Sequence, residues 1–257
     1  MGKIISFSNQ KGGVGKTTTC VNMAAYIANE GKKVLLIDLD PQGNATTGLG
    51  FSKGALKKSV YNVLIDDESV ADNILPTEME NLTILPANID LAGAEVELVY
   101  KKNREKVLKG ALDKVKSQYD YLLIDCPPSL GLITINALAA ADSVLIPIQS
   151  EYYALEGLSQ LMNSISLVRQ HLNKNLKVEG VVLTMYDGRS IISRQIAEEI
   201  KKFFTKKLYE MVIPRNVRLS EAPSHGKPIL LHDPKCAGAR AYAALTEEFL
   251  NKTEGRE

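Results

Sequence analysis

The chain has 257 residues, 45% of them apolar and 24% charged, with a formal net charge of +1. That length can bury a core of its own, and one undivided domain over residues 1–257 is the expectation; near-neutrality excludes a molecule that attracts nucleic acid through its overall charge. Cys20, Cys126 and Cys236 are odd in number and far apart, which fits neither a disulfide framework nor a zinc pattern and suits a reducing cytoplasm.

The first six residues, Met1-Gly2-Lys3-Ile4-Ile5-Ser6, match the N-myristoylation pattern, but they run straight into an apolar strand over 4–8 that a core needs. A glycine-rich loop follows, then a helix over about 17–30 with Gly31 at its end. Val34–Asp38 reads as the next buried strand. Pro41 and Gly43 open an irregular stretch to about residue 81, with room for a helix near 60–65. Further strands are predicted at Leu82–Leu85, Tyr121–Asp125, 144–148 and 181–184, with one more at 211–213. Helical patterns cover 94–117, 155–172, 191–208 and 238–251. Strands alternating with helices predict an α/β fold: a mostly parallel twisted sheet with helices on both faces. No leader precedes the first strand, and no apolar run approaches the roughly 18 residues of a membrane span. From Met185 onward there are 13 Lys and Arg against 10 Asp and Glu, and 18 against 20 before it, a bias that allows a basic patch.

Lys11-Gly12-Gly13-Val14-Gly15-Lys16-Thr17-Thr18 stands between a strand and a helix, the context of a phosphate-binding loop for ATP. The glycines let backbone N–H groups curl towards phosphate oxygens, and the helix start adds its positive end. Lys16 is suited to the β- and γ-phosphates and the Thr17 hydroxyl to Mg²⁺. The usual loop has a glycine where Gln10 stands, and this one is headed instead by Lys11. Two strands end Leu-Ile-Asp, at Asp38 and Asp125, with Asp40 just beyond the first. Ligands of open α/β sheets lie at the carboxyl ends of strands, so all three carboxylates are candidates for the phosphate and metal site.

These residues resemble the ParA/MinD ATPases. The loop is similar to their deviant Walker A motif, Leu36-Ile37-Asp38-Leu39-Asp40-Pro41-Gln42-Gly43-Asn44 to their second motif, and Leu123-Ile124-Asp125-Cys126-Pro127-Pro128-Ser129 to their Walker B. The stretches from Glu151 to Gly157 and from Val212 to Pro228 resemble the chromosomal ParA group, Soj. The resemblance implies a homodimer with ATP sandwiched between subunits. Lys11 would reach the partner's phosphates, while Lys16 and Thr17 act within the subunit. Asp40 would position or activate water, and Asp38 and Asp125 would serve Mg²⁺. Gly12, Gly13, Val14, Gly15 and Thr18 complete the phosphate cradle, and Pro214 and Asn216, flanked by Met185, the adenine pocket. Phosphoryl transfer needs positioned charge more than covalent chemistry, which suits these roles and a slow, partner-stimulated ATPase.

MinD-type relatives end in an amphipathic membrane helix, whereas this chain ends in a short tail of mixed charge, so no membrane is expected. Cys126 has no suitable second cysteine for the iron–sulfur cluster of iron-protein relatives. Too few residues precede the first strand for the operator-reading domain of some plasmid ParA proteins. The short ParA type remains: a nucleoid-associated, ATP-gated binder of non-specific double-stranded DNA, released by a ParB-type partner. Arg189 and Arg218 stand where the family has DNA-contacting residues. Read locally, Arg189 is a turn residue after Asp187-Gly188, and Arg218 an ion-pair partner of Glu221. Arg194 and Lys201 share a face of an ordinary solvated helix, and Tyr152 and Tyr153 carry no assigned chemistry beyond packing. An adaptor that positions protein clusters, and a regulator of replication initiation, stay open as alternatives.

Overall fold

The computed structural model describes residues 2–151 and 154–255; Tyr152 and Tyr153 fall outside them. The strands are β1 (Lys3–Phe7), β2 (Val34–Asp38), β3 (Leu75–Pro76), β4 (Leu82–Leu85), β5 (Tyr121–Asp125), β6 (Ser143–Gln149) and β7 (Lys177–Thr184). They form one sheet in the order β3-β4-β2-β5-β1-β6-β7, parallel throughout except at β3, which pairs antiparallel with β4. The predicted α/β fold is therefore present.

The main helices are α1 (Lys16–Asn29), α5 (Leu91–Leu98), α6 (Val107–Leu112), α7 (Leu132–Ala140), α8 (Ala154–His171), α9 (Ile191–Phe203) and α12 (Ala237–Glu254). Short helices α2 (Asn44–Gly48), α3 (Val60–Leu64), α4 (Val70–Asn73), α10 (Val217–Glu221) and α11 (Ile229–His232) fill the connections. Alternation along each strand sends side chains to two separate cores. Leu35, Ile37, Leu122 and Ile124 pack in the core with α3 and α5 to α9, whereas Leu36, Leu123, Ile5 and Phe7 pack with α1 and α12. Burial on both faces explains why these strands read as continuous apolar runs.

Two expected elements differ. The pattern over 94–117 is not one helix but α5, α6 and a 3₁₀ turn at Lys116–Gln118. The break is held by the buried Asn136 of α7, which donates to the Arg104 carbonyl at 2.7 Å and accepts from the Leu108 N–H at 3.1 Å. Asn103 turns through φ 53° just before it. The side chain of a later helix thus satisfies backbone groups that a continuous helix would have paired. Asn136→Ala leaves those groups unpaired in the interior and is expected to lower stability by about 1–3 kcal/mol, read by chemical denaturation.

The run over 211–213 is not a strand either. Its neighbourhood follows the free edge of β7 through isolated bonds, Tyr209 N–H to Val181 O at 2.9 Å and Ile213 N–H to Leu183 O at 2.8 Å. Between them, the N–H groups of Glu210 and Met211 turn to the Glu248 carboxylate of α12 at 2.9 and 3.0 Å. A carboxylate on another element thereby interrupts what local propensity favours. The helix predicted over 191–208 stops at Phe203, because Lys207 must offer its carbonyl to Val181 N–H at 2.7 Å.

Candidate functional site

The phosphate-loop residues leave β1 and enter α1 at the carboxyl edge of the sheet, as the strand–loop–helix pattern predicts. Gly13 and Gly15 take φ of 74° and 80°, a region that costs other L-residues dearly. A Cβ built at Gly15 would meet the Thr184 side chain, which donates to the Val14 carbonyl at 2.7 Å and ties the loop to the end of β7. On the other side Asn9 accepts from Lys11 N–H at 3.0 Å and donates to the Pro147 carbonyl of β6 at 2.8 Å. The loop is thus pinned between two strand ends before any ligand enters. Lys16 is buried and folds its ammonium back on the Lys11 carbonyl at 3.2 Å. Burial lowers its pKa, and the nearby Asp125, Cys126 and Asp40 act the other way.

The register of β2 and β5 sets Asp38 directly beside Asp125. Their surroundings then separate them. Asp38 accepts from the Thr46 N–H and hydroxyl at 2.8 and 2.7 Å and from Asp40 N–H at 3.1 Å. Thr46 in turn accepts from Ala87 N–H at 2.9 Å, so Asp38 organises the whole 40–46 turn. Its pKa is raised to about 6, because burial outweighs these hydrogen bonds. Asp125 has the same depth without the partners: both carboxylate oxygens are buried, and neither has a hydrogen-bond partner among the described residues. Burial first, and then the Asp38 charge, hold its pKa well above the ordinary carboxylate range. The Thr17 side chain and the Lys16 ammonium oppose that rise, with the hydroxyl outside hydrogen-bond geometry. Asp40 lies beside them with one oxygen on Gln42 N–H at 2.8 Å.

A cleft of about 400 Å³ opens beside the loop, lined among others by Gly15, Thr17, Thr18, Met185, Pro214 and Asn216. The predicted adenine residues and the loop therefore share one cavity. Met185 sits in the left-handed region at φ 49°, unusual for a side chain of its size. This turn lets Tyr186 N–H reach the Ile213 carbonyl at 3.0 Å and brings Pro214 to the cleft. Asn216 caps α10 by accepting from Arg218 N–H at 2.9 Å. Sequence reading missed Asn22, which spans the floor by donating to the Thr18 carbonyl and accepting from Ile229 N–H. It also missed Thr184, although a polar residue ending a strand at this edge was a usable signal.

Four predicted residues lie at or near the surface. Gly12 is exposed, and a Cβ built there meets only Pro128, at 3.9 Å. Lys11 is ion-paired with Glu151. The Arg189 side chain is 92% exposed and, among the described residues, bonds only Asp187, and Arg218 pairs with Glu221 at 2.8 Å and Asp233 at 3.5 Å. Both arginines lie outside the cleft lining, and the local readings of each (turn residue, ion pair) describe their contacts here. Cys126 is a buried thiol whose pKa is pushed up to about 12, and all three cysteines are free.

A family model described as an AAA domain matches residues 2–178. The sporulation initiation inhibitor protein Soj of Bacillus subtilis is 61% identical over 248 residues, covering 96% of this chain and 98% of its own. The chromosome partitioning protein ParA of Myxococcus xanthus is 54% identical over 252 residues, covering 98% and 89%. Among solved structures, a cobyrinic acid a,c-diamide synthase from Mycobacterium smegmatis with bound ATP analog and magnesium superposes with a TM-score of 0.87 at 38% identity, over 100% of this chain and 98% of that one. No helix among the described residues is long and apolar enough to cross a membrane. With near-full-length matches at this identity, and with the deviant loop and both Leu-Ile-Asp strand ends in one site, the chain belongs to the ParA/Soj family of chromosome-partitioning ATPases.

Proposed function

We propose that this protein is an ATP-driven dimeric switch for chromosome or plasmid segregation. It binds double-stranded DNA non-specifically in its ATP state, hydrolyses ATP slowly, and lets go when a ParB-type partner stimulates hydrolysis. The observation that carries the reading is Asp125: a fully buried carboxylate with neither oxygen paired among the described residues, beside Thr17 and Lys16 at a phosphate loop. A buried carboxyl without hydrogen-bond partners is poised to ionise onto a cation. The donors are hard oxygens, which fit Mg²⁺: Asp125 and the Thr17 hydroxyl would hold it, with Asp38 serving its waters. When bound, ATP supplies the transferable γ-phosphoryl group and Mg²⁺ neutralises its charge.

The chain's own residues do the rest. Loop N–H groups from Gly12 to Gly15, with Thr18, cradle the phosphates, and Lys16 neutralises them within the subunit. Lys11 reaches the partner's phosphates. Asp40 has an oxygen beyond its Gln42 bond with which to orient water. Met185, Pro214 and Asn216 flank the base. Arg189 and Arg218 exchange Asp187 and Glu221 for DNA phosphates, and dimerisation doubles such contacts. A near-neutral monomer thereby acquires an affinity that depends steeply on nucleotide state and salt. The names of the relatives support the segregation role.

Gly12→Val tests the sandwich. A Cβ at Gly12 meets nothing closer than 3.9 Å within the subunit, so the variant folds and keeps its nucleotide affinity. Its outward side chain obstructs a partner. Sedimentation should find the wild type dimeric with ATP and Mg²⁺ and Gly12→Val monomeric. A variant that dimerises like the wild type sinks the sandwich.

A further inference from the structure

The proposed function requires Lys11 to leave its own subunit. In the structure its ammonium is engaged: Glu151, 140 positions along the same chain, forms an ion pair with it. The surroundings make this a built arrangement. The Lys11 backbone is fixed on both sides, its N–H on Asn9 at 3.0 Å and its carbonyl under the Lys16 ammonium at 3.2 Å. Asn9 also grips Pro147 in β6, the strand that ends just before Glu151. Glu151 is held in turn: its N–H donates to the Gln149 carbonyl at 2.9 Å, and its carbonyl accepts from Ala154 N–H at 2.8 Å in the first turn of α8. Ser150, next to it, bonds the Ser193 hydroxyl of α9. The strand end, the helix start and the phosphate loop together present this carboxylate to this ammonium.

We propose that Glu151 is a positioning residue that holds Lys11 in cis, so that releasing the lysine is part of what dimerisation must overcome. The inference rests on the reading of Lys11 as a group supplied in trans. The pair sets a threshold: at low protein concentration Lys11 stays on its own subunit and ATP is bound but not sandwiched. The lysine and glutamate side chains are 38% and 46% exposed, so the hold is modest and sensitive to salt. Exposed pairs of this kind shift an equilibrium by about 1.4- to 5-fold. A dimer releases two of them, which compounds to roughly 2- to 25-fold in the dimerisation constant.

The test uses the full chain with Asp40→Ala, which keeps ATP from being consumed, with and without Glu151→Gln. Dimerisation with ATP and Mg²⁺ is measured by sedimentation at low and high salt. Glu151→Gln is expected to tighten the dimer within that 2- to 25-fold range at low salt. The difference should close at high salt, and the ATP affinity of the monomer should not change. A second readout needs no dimer: in nucleotide-free protein, an amine-reactive reagent should label Lys11 faster in Glu151→Gln than in wild type, and faster in wild type as salt rises. An unchanged dimerisation constant with unchanged labelling overturns the latch. A weaker dimer also overturns it, because Glu151 would then act across the interface. If neither background dimerises with ATP, the sandwich reading itself fails, and the inference with it.

Discussion

Asp40→Ala should lower ATP turnover by at least about 10²-fold while leaving a stable ATP-bound dimer on DNA, since a positioned acid or base contributes on that scale. The two effects separate because of where Asp40 sits. Among the described residues its side chain makes one hydrogen bond, accepting from the N–H of Gln42, an exposed residue, so water replaces the lost acceptor at little cost to the fold. The turn keeps the Asp38 bonds to Thr46 and the backbone bond from Gly43 N–H to the Asp40 carbonyl at 2.8 Å, which alanine preserves. Lys16 and the loop glycines are untouched, so the nucleotide still binds and the subunits still close. What disappears is the carboxylate oxygen available to orient water. Turnover by phosphate release and oligomeric state by sedimentation give the two readings. Wild-type turnover, or a variant that remains monomeric with ATP, would remove Asp40 from the role given to it.

Asp125→Asn should have opposite effects on stability and on activity. In the ligand-free protein the Asp125 carboxyl holds its proton to higher pH than it does unfolded, because burial and the Asp38 charge disfavour ionisation. Between about pH 4 and that raised value the folded chain binds more protons than the unfolded one, so stability falls as pH rises through the window. Asparagine carries no such burden. The ligand-free variant should therefore melt higher than wild type at about pH 8, and the gap should narrow towards about pH 4. Asp38, with its pKa raised to about 6 chiefly by burial, titrates in the same window in both proteins, so the comparison isolates Asp125. With ATP and Mg²⁺ the order reverses: the variant lacks the carboxylate proposed to hold the metal, and turnover should drop by about 10²-fold or more, the scale of removing one electrostatic stabiliser. Melting curves across pH in EDTA, set beside turnover in Mg²⁺, check both halves. A variant less stable than wild type at high pH in EDTA would mean that Asp125 has a protein partner after all.

Much of this was legible in the sequence, and the particular failures share a cause. Val34–Asp38 and Tyr121–Asp125 announced themselves because strands buried on both faces are apolar at every position. Their shared Leu-Ile-Asp endings also put Asp38 and Asp125 on one sheet edge, and the register bears that out. The break between α5 and α6 was hidden because Asn136 lies in another helix, and the interruption at 211–213 because Glu248 comes from α12. Antiparallel β3 is two residues long and includes a proline, which leaves no period to detect. At the site, residue type and spacing pointed to the loop and the carboxylates. They did not reveal that Asp38 accepts three hydrogen bonds while Asp125, among the described residues, accepts none, nor that Thr184 and Asn9 pin the loop from either side. The pins on the loop depend on pairings 138 and 170 residues apart, which no local pattern encodes.

The central claim is that nucleotide state gates DNA binding, and it is tested most directly by titrating one unrelated duplex with the wild-type protein in ATP and Mg²⁺, in ADP and Mg²⁺, and without nucleotide, at one fixed salt of about 100 mM. The account predicts binding with ATP alone, abolished by raising the salt and by Arg189→Glu. Equal binding in all three states, or none in any, would contradict it.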